Sequence, residues 1–191
     1  ITFVQHQNVP TDAADWDASI IGNRSVIGWA TASSDQGLVD ITYGSAGRKP
    51  RAPRDSYYLF SDFFSLSDID LVNLDTSDIK YMFDMFSRCA SLESLNLSSL
   101  DISGVESLSG IFNGCTSLRS VDLSNLDTSK VIDMSNMFDG CSSLTSVDLS
   151  PLETSCVNTI AFMFRGCTSL TSLDLSVFES SELKKMEYAF A

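Results

Sequence analysis

Histidine is almost missing from this chain. His6 is the single imidazole in 191 residues, so catalysis that needs a histidine base has little to work with. Basic residues are scarce as well. Against 25 Asp and Glu stand 12 Lys and Arg, a formal charge of −13. A nucleic-acid partner needs a basic footprint, and this balance excludes one. No apolar run approaches the roughly 18 residues of a membrane-spanning helix, so no membrane span is expected. The chain starts at Ile1 without a positively charged apolar leader, as a processed chain or a fragment would. Tryptophan is confined to Trp16 and Trp29. What is present, 43% hydrophobic against 19% charged residues, suffices for the core of one ordinary domain, or of an elongated one with a cap.

The apolar residues recur. Phenylalanine falls at 60, 86, 112, 138, 164 and 190, a strict spacing of 26. Cys89, Cys115, Cys141 and Cys167 keep the same spacing, with Phe63 in the first copy. So do Leu66, Leu92, Leu118, Leu144 and Leu170, and then Leu71, Leu97, Leu123, Leu149 and Leu175. The copies that begin at Phe112 and Phe138 share 15 of 26 positions. Each copy reads L-x-x-L-x-L-x-x-L, as in Leu118, Val121, Leu123 and Leu126, the strand-bearing signature of leucine-rich repeats. Alternation over Val121, Asp122 and Leu123 places the apolar pair on one face and Asp122 on the other. One copy cannot bury its apolar face alone, so stacking must supply the core.

The second half of each copy changes period. Val131, Met134, Met137 and Phe138 lie at i, i+3, i+6 and i+7, which predicts one stripe of a short helix. Ser77, Ser103, Ser129, Ser155 and Ser181 stand where an N-cap belongs. An acidic residue two positions earlier (Asp75, Asp101, Asp127, Glu153, Glu179) suits a helix N-terminus. Gly114, Gly140 and Gly166 follow, where a left-handed residue would end the helix. Arg88 holds that position in the first copy and predicts a looser turn. The reading is an α/β repeat solenoid: leucine-rich-repeat type, right-handed, with a parallel sheet of about five rungs.

Residues 1–57 escape the period and are placed to cap the first rung, with the solenoid over 58–191. Ser25–Thr31 and Leu38–Tyr43 read as strands of a hairpin. Gly47–Arg54 reads as a basic loop. At the other end Tyr188-Ala189-Phe190-Ala191 opens a sixth copy that stops before its cysteine position, so continuation of the chain is expected. End-to-end self-association through open rungs is a further expectation.

The run Met137-Phe138-x-Gly140-Cys141-x-Ser143-Leu144-x-Ser146-Val147-Asp148-Leu149-Ser150 resembles the 26-residue bacterial surface protein repeat. So does Leu126-Asp127-Thr128-Ser129-Lys130-Val131. That family is grouped with BspA-like leucine-rich repeat proteins, and the likeness covers residues 60–191. The resemblance implies an extracellular protein, secreted or held at a bacterial cell surface, used for adhesion or host contact. It brings no catalytic residues.

The cysteine column predicts buried free thiols, because stacked equivalents point in parallel and do not converge as a disulfide requires. Cys156 falls at a variable position and should be exposed. Spacing of this kind holds no metal, and no motif asks for a cofactor. The outward strand positions Asp70, Asn96, Asp122, Asp148 and Asp174 form a polar strip. Stacked carboxylates about 5 Å apart repel by roughly 1 kcal/mol in water-like surroundings, so hydroxyls, a cation or a basic partner must offset them. One reading is that these side chains bond locally to Ser and backbone groups. The other is a partner-binding surface for a host or matrix macromolecule. Carboxylates repeated in every rung do not form the singular perturbed cluster of an active site, so an enzyme is not expected. A structural stalk or spacer is the alternative to a binding module.

Overall fold

The computed structural model describes residues 51–52, 54–72, 74–178 and 181–191 in full, and the backbone of four strands before them. Those strands are β1 (Val4–Gln5), β2 (Ala14–Asp17), β3 (Ile27–Ala32) and β4 (Val39–Tyr43). They form one sheet in the order β1-β4-β3-β2. β3 runs antiparallel to β2 and β4, and β1 runs parallel to β4. The hairpin read from Ser25–Thr31 and Leu38–Tyr43 is thus present as β3 and β4, with Ala30 opposite Ile41. The pairing of β2 around Trp16 was not foreseen. His6 and residues 47–50 of the basic loop lie outside the described residues.

From Arg51 onward the 26-residue period becomes a physical stack. One column of parallel bridges joins Asp55, Tyr81, Ser107, Asp133, Thr159 and Lys185, one per repeat. The rings of Phe60, Phe86, Phe112, Phe138, Phe164 and Phe190 lie over one another, centroids 5.2–6.1 Å apart and planes within 17°. Such offset stacking adds about 0.5–1.5 kcal/mol per pair beyond the area each ring buries. Phe86, Phe112 and Phe138 have no exposed surface, and Leu71, Leu97, Leu123 and Leu149 are equally inaccessible in practice. One core runs through all the repeats.

The helix expected over Val131–Phe138 is not formed. Among the described residues the one helical element is a single 3₁₀ turn, Ser176–Phe178. Backbone donors explain the difference. An α-helix needs every N–H for its own i−4 carbonyl. Here the N–H groups of Met134, Asn136, Phe138 and Gly140 donate to the carbonyls of Thr159, Ala161, Met163 and Arg165 in the next repeat. Asp139 and Cys141 close i→i+3 turns on Asn136 and Phe138. Two positions in this half of the repeat adopt positive φ, which no right-handed helix tolerates. One is the foreseen position: Gly114, Gly140 and Gly166 at φ 73–74°. The other was not foreseen and holds Tyr58, Asp84, Gly110, Asn136, Phe162 and Tyr188. The apolar stripe itself is buried: Val131, Met134, Met137 and Phe138 are fully covered. A chain of three-residue turns gives the same i, i+3, i+6 spacing as a helix.

Two further corrections concern the same arm. The serine placed as N-cap is a donor: Asp127 Oδ1 accepts the Ser129 hydroxyl at 2.6 Å and its N–H at 3.1 Å. Asp75 and Asp101 treat Ser77 and Ser103 the same way. Arg88 does not loosen its turn. It keeps the left-handed conformation (φ 60°), and its N–H bonds the Asn113 carbonyl at 2.6 Å.

The leucine-bearing side is paired less completely. β5 (Ser94–Asn96) and β6 (Ser120–Asp122) are parallel, with Ser94 opposite Ser120 and Asn96 opposite Asp122. The equivalent residues 146–148 and 172–174 make no such ladder.

Candidate functional site

The strip read from the sequence exists as a line of exposed side chains, and each has a local task. Asp70, Asn96, Asp122, Asp148 and Asp174 each accept, through Oδ1, the N–H two residues ahead. The distances are 2.8–2.9 Å. These are Asx turns, which bend the chain out of the strand position. Asn96 fits because the turn needs an acceptor oxygen and not a charge. The serine two residues on also holds the carboxyls of Asp122 and Asp148 below their ordinary value, through its hydroxyl and then its N–H. For Asp174 the N–H of Ser176 contributes most. Serine thus supplies part of the offset that the stacked charges require, although Asp148 still feels the repulsion of Asp174.

Beyond β6 the strip borders a groove. Ser146, Val147, Asp148, Ser172, Leu173 and Asp174 line a volume of about 400 Å³. Leu95 of β5 is 4% exposed, while Val121 of β6, Val147 and Leu173 are all half-buried. Apolar floor is thus accessible between the two acidic edges of the groove. The structure brings Asp148 and Asp174 together at this groove and leaves Asp70, Asn96 and Asp122 outside it.

Several charged side chains elsewhere are paired across repeats. Asp139 is 6% exposed and receives both Nε, at 2.9 Å, and a second nitrogen of Arg165. That guanidinium also covers the Phe162 ring at 4.8 Å. Lys80 meets Glu106 at 2.8 Å and Arg88 meets Asp62 at 2.9 Å. Asp84 differs from these. It is 8% exposed, and its Oδ1 has no hydrogen-bond partner. Burial pushes its carboxyl above the ordinary value, against the Tyr58 hydroxyl, Arg88 and Ser87.

All five cysteines are free, with Cys89, Cys115 and Cys141 buried, Cys167 half-buried and Cys156 exposed. The column has a polar role that spacing did not reveal. The thiols of Cys89, Cys115, Cys141 and Cys167 donate to the carbonyls of Phe60, Phe86, Phe112 and Phe138 at 3.0–3.2 Å. Burial pushes the Cys89 thiol up to about 12 and that of Cys167 to about 11. A threonine column was missed as well. The buried Thr128 hydroxyl donates to the Glu153 carbonyl and accepts the Glu153 N–H. The Thr76 hydroxyl accepts the N–H of Asp101. The recurring Asp-Thr-Ser triplet was the available signal.

Among the described residues no three His, Cys, Asp or Glu side chains gather closely enough to hold a metal ion. No helix there is long and apolar enough to cross a membrane. Neither a curated protein nor a solved structure matches the chain. Over residues 54–146 and again over 82–191 it matches one family, and the overlapping spans follow from a repeat that fits in two registers. The protein belongs to that family, described as Mycoplasma protein of unknown function, DUF285.

Proposed function

We propose that this chain is a binding segment of an extracellular bacterial surface protein, built as a right-handed solenoid of leucine-rich-repeat type and related to the BspA-like proteins. Its working surface is the face that carries Asp70, Asn96, Asp122, Asp148 and Asp174, and its partner is a host or matrix macromolecule, protein or glycan. The groove between 146–148 and 172–174 carries this reading, because it joins accessible apolar floor to acidic edges on that face. The stacked phenylalanines and inter-repeat hydrogen bonds support the solenoid. The repeat motif supports the location.

The test is a binding screen of this chain against extracellular-matrix and cell-surface glycoproteins, followed by calorimetry. Wild type is compared with Asp122→Asn/Asp148→Asn/Asp174→Asn at two salt concentrations. The variant should bind more weakly, chiefly at low salt, since exposed charges are screened over about 8 Å at physiological ionic strength. Equal affinities in both conditions would remove the strip from the interface. A second reading, a stalk or spacer that projects other domains, is favoured by the Asx turns, which give every strip residue a structural task. In that case the triple variant alters no binding event.

A further inference from the structure

We infer that the outer face of the arm over the first two repeats, where Tyr57, Tyr58, Tyr81 and Phe83 meet, binds an uncharged oligosaccharide. The site lies on the arm, not on the side that carries the acidic strip, and does not depend on that strip.

The cluster is confined to one place on the stack. Tyr81 and Phe83 flank the buried Met82, as Asp55 and Tyr57 flank the buried Ser56, so these four side chains face outward. The same two positions hold Ser107 and Ser109 in the third repeat, Asp133 and Ser135 in the fourth, and Thr159 and Ala161 in the fifth. Stacking therefore does not require aromatic rings there. A structural column recurs in every repeat, whereas binding sites are few per protein and combine aromatic walls with a small number of placed polar groups.

The rings are held before any ligand arrives. Tyr57 stacks on Tyr81 at 5.9 Å and meets Phe83 edge-on at 6.0 Å. Tyr58 meets Phe83 edge-on at 5.2 Å. Two hydroxyls are tied as well: that of Tyr81 donates to Glu106 at 3.3 Å, and that of Tyr58 bonds the buried Asp84. Little ordering entropy then opposes binding. Tyr58 is nevertheless 39% exposed, and the other three rings are half-buried.

Charge decides the class of ligand. Lys80 meets Glu106 at 2.8 Å beside the rings, with its ammonium 5.5 Å from the Tyr81 ring centre. The charge of Arg54 acts on both Lys80 and Glu106, and that of Asp55 acts on Tyr57. Two cations thus balance two anions at the patch, in a chain whose formal charge is −13. A charged polymer finds no net attraction there, and a purely apolar ligand would desolvate the ionic groups without replacing their partners. A neutral sugar meets both conditions. Its positively polarised C–H groups suit the negative face of an aromatic ring, and its hydroxyls can donate to Glu106 and accept from Lys80.

The test is calorimetric titration of the whole chain with cellohexaose, mannohexaose and chitohexaose, set against a sulfated hexasaccharide and a decaproline peptide. Saturable binding of a neutral oligosaccharide is expected, at least about tenfold weaker in Tyr57→Ser/Phe83→Ser. Ser109 and Ser135 occupy the same position in the next two repeats, so that variant should still melt cooperatively. Tyr58→Asn is the second variant, since Asn136 takes the left-handed conformation at the equivalent position, and it should weaken the same sugar. Asp122→Asn/Asp148→Asn/Asp174→Asn should bind that sugar as wild type does. Binding of none of the three neutral sugars, equal affinity in wild type and the ring variants, or preference for the sulfated sugar or for decaproline would each overturn the assignment. A sugar weakened by the strip variant and by neither ring variant would move glycan binding to the strip and overturn it too.

Discussion

The arm side of each repeat and its leucine side bury equally apolar residues, but they satisfy their backbones differently. On the arm, alternate N–H groups reach a neighbouring repeat: Ile132 to Glu106, Met134 to Thr159, Asn136 to Ala161, Phe138 to Met163 and Gly140 to Arg165. The same five-bond set recurs from 158 to 166. On the leucine side only β5 and β6 form a ladder, and the chain otherwise turns on local bonds such as Leu152 to Leu149. The lesson is that hydrophobic periodicity reports which residues face the core, not which backbone groups hold the stack. The side with the strand signature is here the less completely paired one.

The largest expected effect breaks this contrast directly. Ile132 is 44% exposed, but its N–H bonds the Glu106 carbonyl at 2.9 Å. Ile132→Pro should therefore cost about 3 kcal/mol or more, by removing an inter-repeat bond with little loss of packing. Ser146→Pro, on the open side, removes no backbone bond and should cost far less. Urea unfolding of the two variants checks the order. Similar losses would show that the sides are equally bonded in solution.

A second pair of variants probes the unforeseen left-handed column. A Cβ on Gly110 would meet Asp84 Oδ1 at 2.2 Å, whereas one on Gly140 would meet the Gly114 Cα at 3.6 Å. Both glycines have positive φ, so each alanine carries about 1–2 kcal/mol of backbone strain. Gly110→Ala should be clearly the worse of the two in thermal melts. Asp84 itself sets a pH dependence. Its folded carboxyl titrates above the ordinary 3.8 because it is buried. Its stabilising contribution is thus present below that value and lost as pH rises through the folded value. Asp84→Asn should gain on wild type as pH climbs from about 4 to 7. A constant difference across that range would mean that Asp84 is solvated.

Much of this was legible in the sequence. The spacing of Phe60 to Phe190 gave the stack, Leu123 and its equivalents gave the core, and the glycine column gave one left-handed position. Gly114 to Gly166 were recognisable because glycine advertises positive φ. Phe162 was not, since its residue type does not favour that region and its N–H is held by the Glu187 carbonyl of the next repeat. The strip residues were found, but sequence did not decide between turn acceptor and ligand contact, because both ask for an exposed Asp. The groove was illegible for another reason. Ser146-Val147-Asp148 reads the same as Ser120-Val121-Asp122, and only coordinates reveal that one pairs and the other does not.

A smaller effect tests the thiol column. Cys115→Ala removes one of the two donors to the Phe86 carbonyl, which still accepts the Cys89 N–H at 3.2 Å, a loss of about 0.5–1.5 kcal/mol. Cys115→Ser retains a donor and should recover part of it. In native protein at pH 8, alkylation should label Cys156 first. Burial keeps Cys89 protonated, with its thiol pushed up to about 12, and only the thiolate reacts. Rapid labelling of all five thiols without denaturant would contradict the buried column.

The smallest expected effect sharpens the comparison at its most ambiguous point, the strip. In Asp122→Asn/Asp148→Asn/Asp174→Asn each amide oxygen can accept the same N–H, as Asn96 does from Ser98 at 2.8 Å. At neutral pH the change in stability should be slight, because relief of repulsion offsets the loss of charge-assisted bonds to serine. Acid separates the two proteins. The three carboxyls titrate below the ordinary 3.8 when folded, held by Ser124, Ser150 and Ser176. Their contribution is therefore present above 3.8 and lost as pH falls through the lowered folded values. Wild type should lose stability over that acid range while the triple variant loses less, whatever the remaining carboxylates do to both. Melting curves from pH 7 down to about 2 test this. If the curves fall in parallel, serine does not hold these carboxyls below their ordinary value in solution, and turn acceptance alone remains as the strip's structural task.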